Sequence, residues 1–180
     1  FHACEILAAQ HFSNQLFSNT GQTASWHLER GEAFALEWLR KRAAGGFREW
    51  DSNCYFEHDV LALTHIADLS DNDQLAELAS VILDKLFFSM ALNSFKGVFG
   101  STHGRSYTPH IKGARQELTS GIGRMLWGMG VFNEHVLGSV ALACATSYKL
   151  PTVIAEIAMA QPEELWSKER HRQEPVSYTH

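Results

Sequence analysis

Two stretches of this 180-residue chain gather the side-chain types that move protons and bind polar ligands. The first is Gly46-Phe47-Arg48-Glu49-Trp50-Asp51-Ser52-Asn53-Cys54-Tyr55-Phe56-Glu57-His58-Asp59; the second is Gly100-Ser101-Thr102-His103-Gly104-Arg105-Ser106-Tyr107-Thr108-Pro109-His110. Histidine titrates near neutrality, and tyrosine serves as acid or base when a neighbouring cation lowers its pKa. An arginine can clamp a carboxylate through two parallel hydrogen bonds. Between Lys96 and Arg124 stand five basic residues (Lys96, Arg105, Lys112, Arg115, Arg124) and one acid, Glu117, a local balance of +4. The whole chain has 15 Lys and Arg against 20 Asp and Glu, a net charge of −5 with neutral His. A basic patch in an acidic chain suits an anionic small ligand or an acidic sugar, although scattered solvated charges give the same count.

The elements that must hold these clusters read as helices. Ala3 to Phe17 forms a first helix, stopped by Asn19-Thr20-Gly21. Thr23 to Ala44 forms a second, closed by Arg40-Lys41-Arg42 and Gly45-Gly46, with Gly31 as a weak point or break. Ser52 is placed to cap a third, whose apolar residues Phe56, Val60, Leu63 and Ala67 recur at three and four. Asp71 or Asp73 caps the strongest pattern in the chain, Leu75, Leu78, Ala79, Ile82, Leu83, Leu86 and Phe87. Periodicity vanishes between Lys96 and Gly113, so the second cluster lies in a long loop of the functional kind. Helices resume over Gln116 to Trp127, over Glu134 to Tyr148 capped by Asn133, and from Pro151 to about Ala160. About seven helices and no sustained β alternation make the chain all-α, built of helical hairpins. Residues 1–160 form this helical part, and 161–180 read as a charge-rich linker with a strand starting at Val176 to Thr179.

Composition removes several classes. A net negative charge argues against nucleic acid and acidic membranes as partners. The longest nearly apolar run, Val136 to Ala145, is half of the roughly 20 residues that span a bilayer. Cys4, Cys54 and Cys144 form no CxxC pair, so neither a disulfide framework nor a thiolate metal site is expected. His58 and His65, like His103 and His110, are seven apart with no HExxH pattern, and neither a metal nor a cofactor is called for. The chain opens at Phe1 without Met or leader, which reads as a piece of a longer protein whose compartment and oligomeric state stay open.

The run GGFREWDSNCYFEHDVLALTHIADLSDND, with GSTHGRSYTPH and ELTSGIGRMLWGMG after it, resembles the helical toroid of heparinase-type polysaccharide lyases and their bacterial relatives. The shared elements are E-W-x-S-x-x-Y, here Glu49 to Tyr55, and H-G-R-x-Y, here His103 to Tyr107. The resemblance covers residues 20 to 160 and implies part of an (α/α) toroid, about half of one, followed by a β-sandwich region. It implies β-elimination on a uronic-acid-containing poly- or oligosaccharide. Asn53, His103 or Arg105 would stabilise the carboxylate and its developing charge, and Tyr107 or His103 would act as base or acid. Glu49, Tyr55, His58 and His110 would position the sugar, with Trp50 stacked on a ring.

Three rivals compete. (α/α) toroids also host glycoside hydrolases, which need two facing carboxyls, and Glu49, Asp51, Glu57 and Asp59 are available. A loop rich in Arg, Tyr and His rather than acids favours the lyase. A metal site would draw on the ten histidines, with the unpromising spacing given above. A non-catalytic helical scaffold would be expected to repeat at a fixed period, and no repeat is present.

Overall fold

The computed structural model describes residues 1–160 and 162–169. It is mostly helical, with eight α-helices among the described residues: α1 (His2–His11), α2 (Ala24–Gly45), α3 (Phe56–Leu69), α4 (Asp73–Leu92), α5 (Thr108–Lys112), α6 (Ser120–Trp127), α7 (Leu137–Cys144) and α8 (Thr152–Met159). α1 packs on α2 and α3 on α4, and α4 also touches α2 and α8. α7 lies on α3.

α4 is the central element because its apolar residues cover more than one face. Leu75, Ala79, Ile82, Leu83, Leu86, Phe87 and Met90 are all buried, in one cluster with Val60, Leu63 and Ile66 of α3 and Ile122 of α6. A fully buried side chain of this size contributes about 1.5 to 3 kcal/mol by leaving water. Gly31 is no break in α2. A Cβ there would stand 2.9 Å from Ile6 Cγ1, so glycine is what lets α1 close on α2.

The structure corrects several expectations at element ends. The first helix stops at His11, and Leu16–Phe17 (β1) pairs antiparallel with Gln22–Thr23 (β2). Ser94–Phe95 (β3) pairs likewise with Val98–Phe99 (β4), so the expected loop from Lys96 begins as a hairpin and ends in the short helix α5. Asn72, between the two expected aspartates, caps α4 by accepting from Leu75 N. Ser52 caps a turn rather than a helix, accepting from Tyr55 N at 3.1 Å. Asn133 similarly accepts from His135 N, and the helix expected from Glu134 begins only at Leu137. At Ser52 and Asn133 a short polar side chain found a backbone donor within a turn. Residues 162–169 form no helix or strand, and the strand read at Val176 to Thr179 lies outside the described residues.

Candidate functional site: a loop docked on a turn beside a groove

The turn between α2 and α3 and the loop after β4 form one unit. Asp51 is its organiser. The residue adopts φ 47°, is 5% exposed, and accepts Ser89 Oγ on Oδ1 at 2.6 Å and Ser101 Oγ on Oδ2 at 2.7 Å. Its backbone carbonyl accepts a hydrogen bond from His103 Nδ1. Since a carbonyl only accepts, Nδ1 carries a proton, which in the uncharged ring leaves Nε2 as the acceptor. Gly104 N donates to Trp50 O at 2.8 Å. The approach is so close that a Cβ on Gly104 would meet Trp50 N at 2.8 Å and Glu49 Cα at 2.9 Å.

Asn53 holds the same junction from inside. It is 1% exposed, and its Nδ2 donates to Glu117 Oε1 at 3.1 Å and Ser106 Oγ at 3.4 Å. Its carbonyl accepts from Leu118 N at 3.2 Å. Burial pushes the Glu117 carboxyl up to about 7, with the Asn53 hydrogen bond opposing that rise.

Above this base lie four exposed or half-buried groups. Arg105 Nε donates to Glu49 Oε1 at 2.6 Å, and its guanidinium carbon lies 5.8 Å from the centre of the Tyr55 ring. The Tyr55 and Tyr107 hydroxyls are 2.8 Å apart. The Glu49 carboxylate, and then Tyr107, hold the Arg105 pKa above its ordinary value. The Tyr107 hydrogen bond raises the Tyr55 phenol, with Arg105 working against it.

Glu49, Tyr55 and Arg105 line a groove of about 780 Å³ bounded by α2 and the start of α3. Phe34, Trp38, Lys41, Arg42, Arg48 and Asp59 complete much of its wall. Arg42 and Arg48 repel each other, and burial, the larger effect, also lowers the Arg42 pKa. Arg42 Nε and Glu49 Oε2 are buried without a hydrogen-bond partner. Burial pushes the Asp59 carboxyl up to about 7 against the pull of Arg42, with Glu49 adding to the rise.

The remaining expected site residues fall elsewhere. Tyr107 is joined to the groove through Tyr55, whereas His103 is half-buried with its ring 5.3 Å from Phe99 and is not in the groove wall. Trp50 borders a smaller cavity of about 190 Å³ with Phe88 and Lys85. His58 is exposed, stands 6.1 Å from the Tyr55 ring, and borders a separate cavity of about 300 Å³. His110 is buried edge-on to Tyr107, and burial, with help from His135 and His103, holds its pKa low. Asn53 and His110 are thus both buried, beside the loop rather than in the groove wall. Sequence reasoning missed Asp51 as organiser, Glu117 as partner of Asn53, and the contribution of α2 to the groove. Arg42 was legible only as stop chemistry, since a helix C-terminus attracts cations whatever lies beside it.

Among the described residues no three His, Cys, Asp or Glu side chains converge as metal ligands. Among them, too, no helix is long and apolar enough to cross a membrane. Compared with known proteins, the chain matches no family model, no curated protein and no solved structure.

Proposed function

We propose that the chain is the helical part of a carbohydrate-active protein, a segment of an (α/α) toroid, that cleaves a uronic-acid-containing polysaccharide by β-elimination. One observation carries the reading: the Arg105–Glu49 pair and the Tyr55–Tyr107 hydroxyl pair meet at a groove with an aromatic wall, where Arg42 Nε and Glu49 Oε2 are buried without a hydrogen-bond partner. Buried polar atoms without partners are uncommon, and an acidic sugar offers both a carboxylate for Arg42 and hydroxyls for Glu49.

In this reading Arg105 and Arg48 neutralise the uronate carboxylate, which acidifies the C5 proton and stabilises the charge that develops. His103 lies outside the groove wall, so in this reading the sugar extends past Tyr107 and brings its C5 proton to His103 Nε2, which accepts it. The C5–H electron pair forms the C4=C5 double bond, the C4–O bond breaks, and Tyr107 protonates the departing oxygen with Tyr55 orienting it. The products are an unsaturated uronate and a new reducing end, with no change in redox state. Asn53 acts at one remove, keeping the loop on the turn.

A second reading has its own support. Asp59, whose carboxyl burial pushes up to about 7, and Glu49, which accepts a hydrogen bond from Arg105, share the groove wall. Two carboxyls in different surroundings on one groove are the equipment of glycoside hydrolysis. The test is to incubate the protein with pectate, alginate and glycosaminoglycans. Ultraviolet absorbance of unsaturated uronate supports the lyase, while new reducing ends without it support the hydrolase.

A further inference from the structure

A row of side chains on α2 leads into the groove. Trp26, Arg30, Phe34, Trp38 and Arg42 recur every fourth residue, and each pair of neighbours is adjacent on a helix surface. The Arg30 guanidinium lies over both Trp26 and Phe34, with its carbon 5.6 Å and 5.0 Å from the ring centres. That of Arg42 lies 5.6 Å from Trp38. Glu5 of α1 fixes Arg30 by accepting from Nη1 on both carboxylate oxygens, at 2.7 and 2.8 Å. Spacing of four drifts around a helix of 3.6 residues per turn, so the row winds. It does so beside an equally winding buried row, His27, Gly31, Ala35 and Leu39, and therefore follows the edge of the packed face of α2.

Trp26, Phe34 and Trp38 expose 41%, 45% and 36% of their surfaces. Phe34 stacks on the His2 ring, with centroids 5.0 Å apart, but Trp26 and Trp38, left half-open on the same line, are not explained by core packing. Cation–π pairs alone would stabilise the helix surface by about 0.5 to 1 kcal/mol each. That stabilisation leaves unexplained why the row ends in the groove, where Phe34, Trp38 and Arg42 all form part of the wall and Arg42 Nε has no partner.

We propose that this flank of α2 is an extended binding track for a linear acidic oligosaccharide. It rests on the reading of the groove as a uronic-acid site. Sugar rings stack on Trp26 and Trp38, passing the His2–Phe34 pair between them, and their carboxylates meet the cations Arg42 and Arg48 at the groove end. From Trp26 to Arg42 the track is roughly 24 Å long, at 1.5 Å per residue. A polymer of several sugar units spans it, and a disaccharide in the groove does not reach Trp26.

The test is calorimetric titration with disaccharides and octasaccharides of galacturonate, mannuronate and chondroitin, using the full chain and its Trp26→Ala and Trp26→Phe variants. Thermal melting checks that each variant is folded. We expect an octasaccharide to bind Trp26→Ala roughly three- to tenfold more weakly, the range of one lost aromatic contact. Disaccharide affinity is expected unchanged, and Trp26→Phe to retain most of the octasaccharide affinity. Equal losses at both lengths, no loss at either, or no binding in any of the three series overturns the track. Length-dependent binding without cleavage would defeat the lyase reading and leave the track. Elimination with octasaccharide binding indifferent to Trp26→Ala would do the reverse.

Discussion

Tyr55 and Tyr107, separated by 52 positions, join the turn before α3 to the loop before α5 through hydroxyls 2.8 Å apart. Arg105 reaches over the Tyr55 ring and holds Glu49, so four residues from two distant stretches form one surface. The Tyr55 phenol is raised chiefly by the Tyr107 hydrogen bond. Tyr107→Phe removes that bond, and the Tyr55 pKa is expected to fall, with Arg105 still favouring the phenolate. Both tyrosines are exposed, so stability should change by no more than about 0.5 kcal/mol. Spectrophotometric titration of the variant measures the shift; an unchanged Tyr55 would mean that the hydroxyl pair is not formed in solution.

Asn53 is expected to matter through stability. Asn53→Ala leaves Glu117 buried without the donor at 3.1 Å and frees Ser106, at a cost on the order of 1 to 3 kcal/mol. Urea unfolding should show a lower midpoint with an unchanged slope. A variant as stable as the parent yet inactive would place Asn53 in contact with substrate instead.

Glu117 makes stability depend on pH. Its carboxyl titrates at about 7 in the folded chain against an ordinary value of 4.5. The folded protein keeps a proton that the unfolded chain releases in that interval, so stability falls as pH rises from 4.5 to about 7. The loss is at most on the order of 3 kcal/mol. Asp59, raised in the same direction, steepens the decline. Glu117→Gln should flatten the profile, gaining stability above pH 7 relative to the parent and none at pH 4, as followed by thermal unfolding across that range. A profile identical to that of the parent would exclude Glu117 as its source.

Gly104→Ala tests the docking of the loop. The new methyl would meet backbone atoms of Trp50 and Glu49 at 2.8 to 2.9 Å, and backbone cannot rotate aside. The loop is expected to lift, breaking the His103 contact with Asp51 O at a cost of about 1 to 3 kcal/mol. Faster amide exchange at position 104, corrected for the intrinsic rates of alanine and glycine, would record it, while unchanged exchange and stability would show that the loop does not sit on the turn.

The longer helices and both clusters were legible because 3.6-residue periodicity and residue type are local properties, whereas α5 lay in a stretch read as loop. Leu75 to Phe87 announced α4, and Glu49 to His58 and His103 to His110 announced the two stretches that meet. Which members face outward was not legible. Asn53 and Tyr55 are two positions apart, yet one is 1% exposed and the other 39%. That difference is set by Glu117, 64 residues on, and by the left-handed turn at Asp51. The groove was hidden for the same reason, since its α2 wall looks locally like any amphipathic helix with a basic end.

The most direct measurement is the ultraviolet absorbance of unsaturated uronate, released from acidic polysaccharides by the parent chain and by Arg105→Ala, Tyr107→Phe and His103→Ala. The account predicts a steady rise for the parent with at least one polysaccharide, and loss of that rise in all three variants while they remain folded. New reducing ends without the absorbance, or a rise that survives all three substitutions, would contradict it.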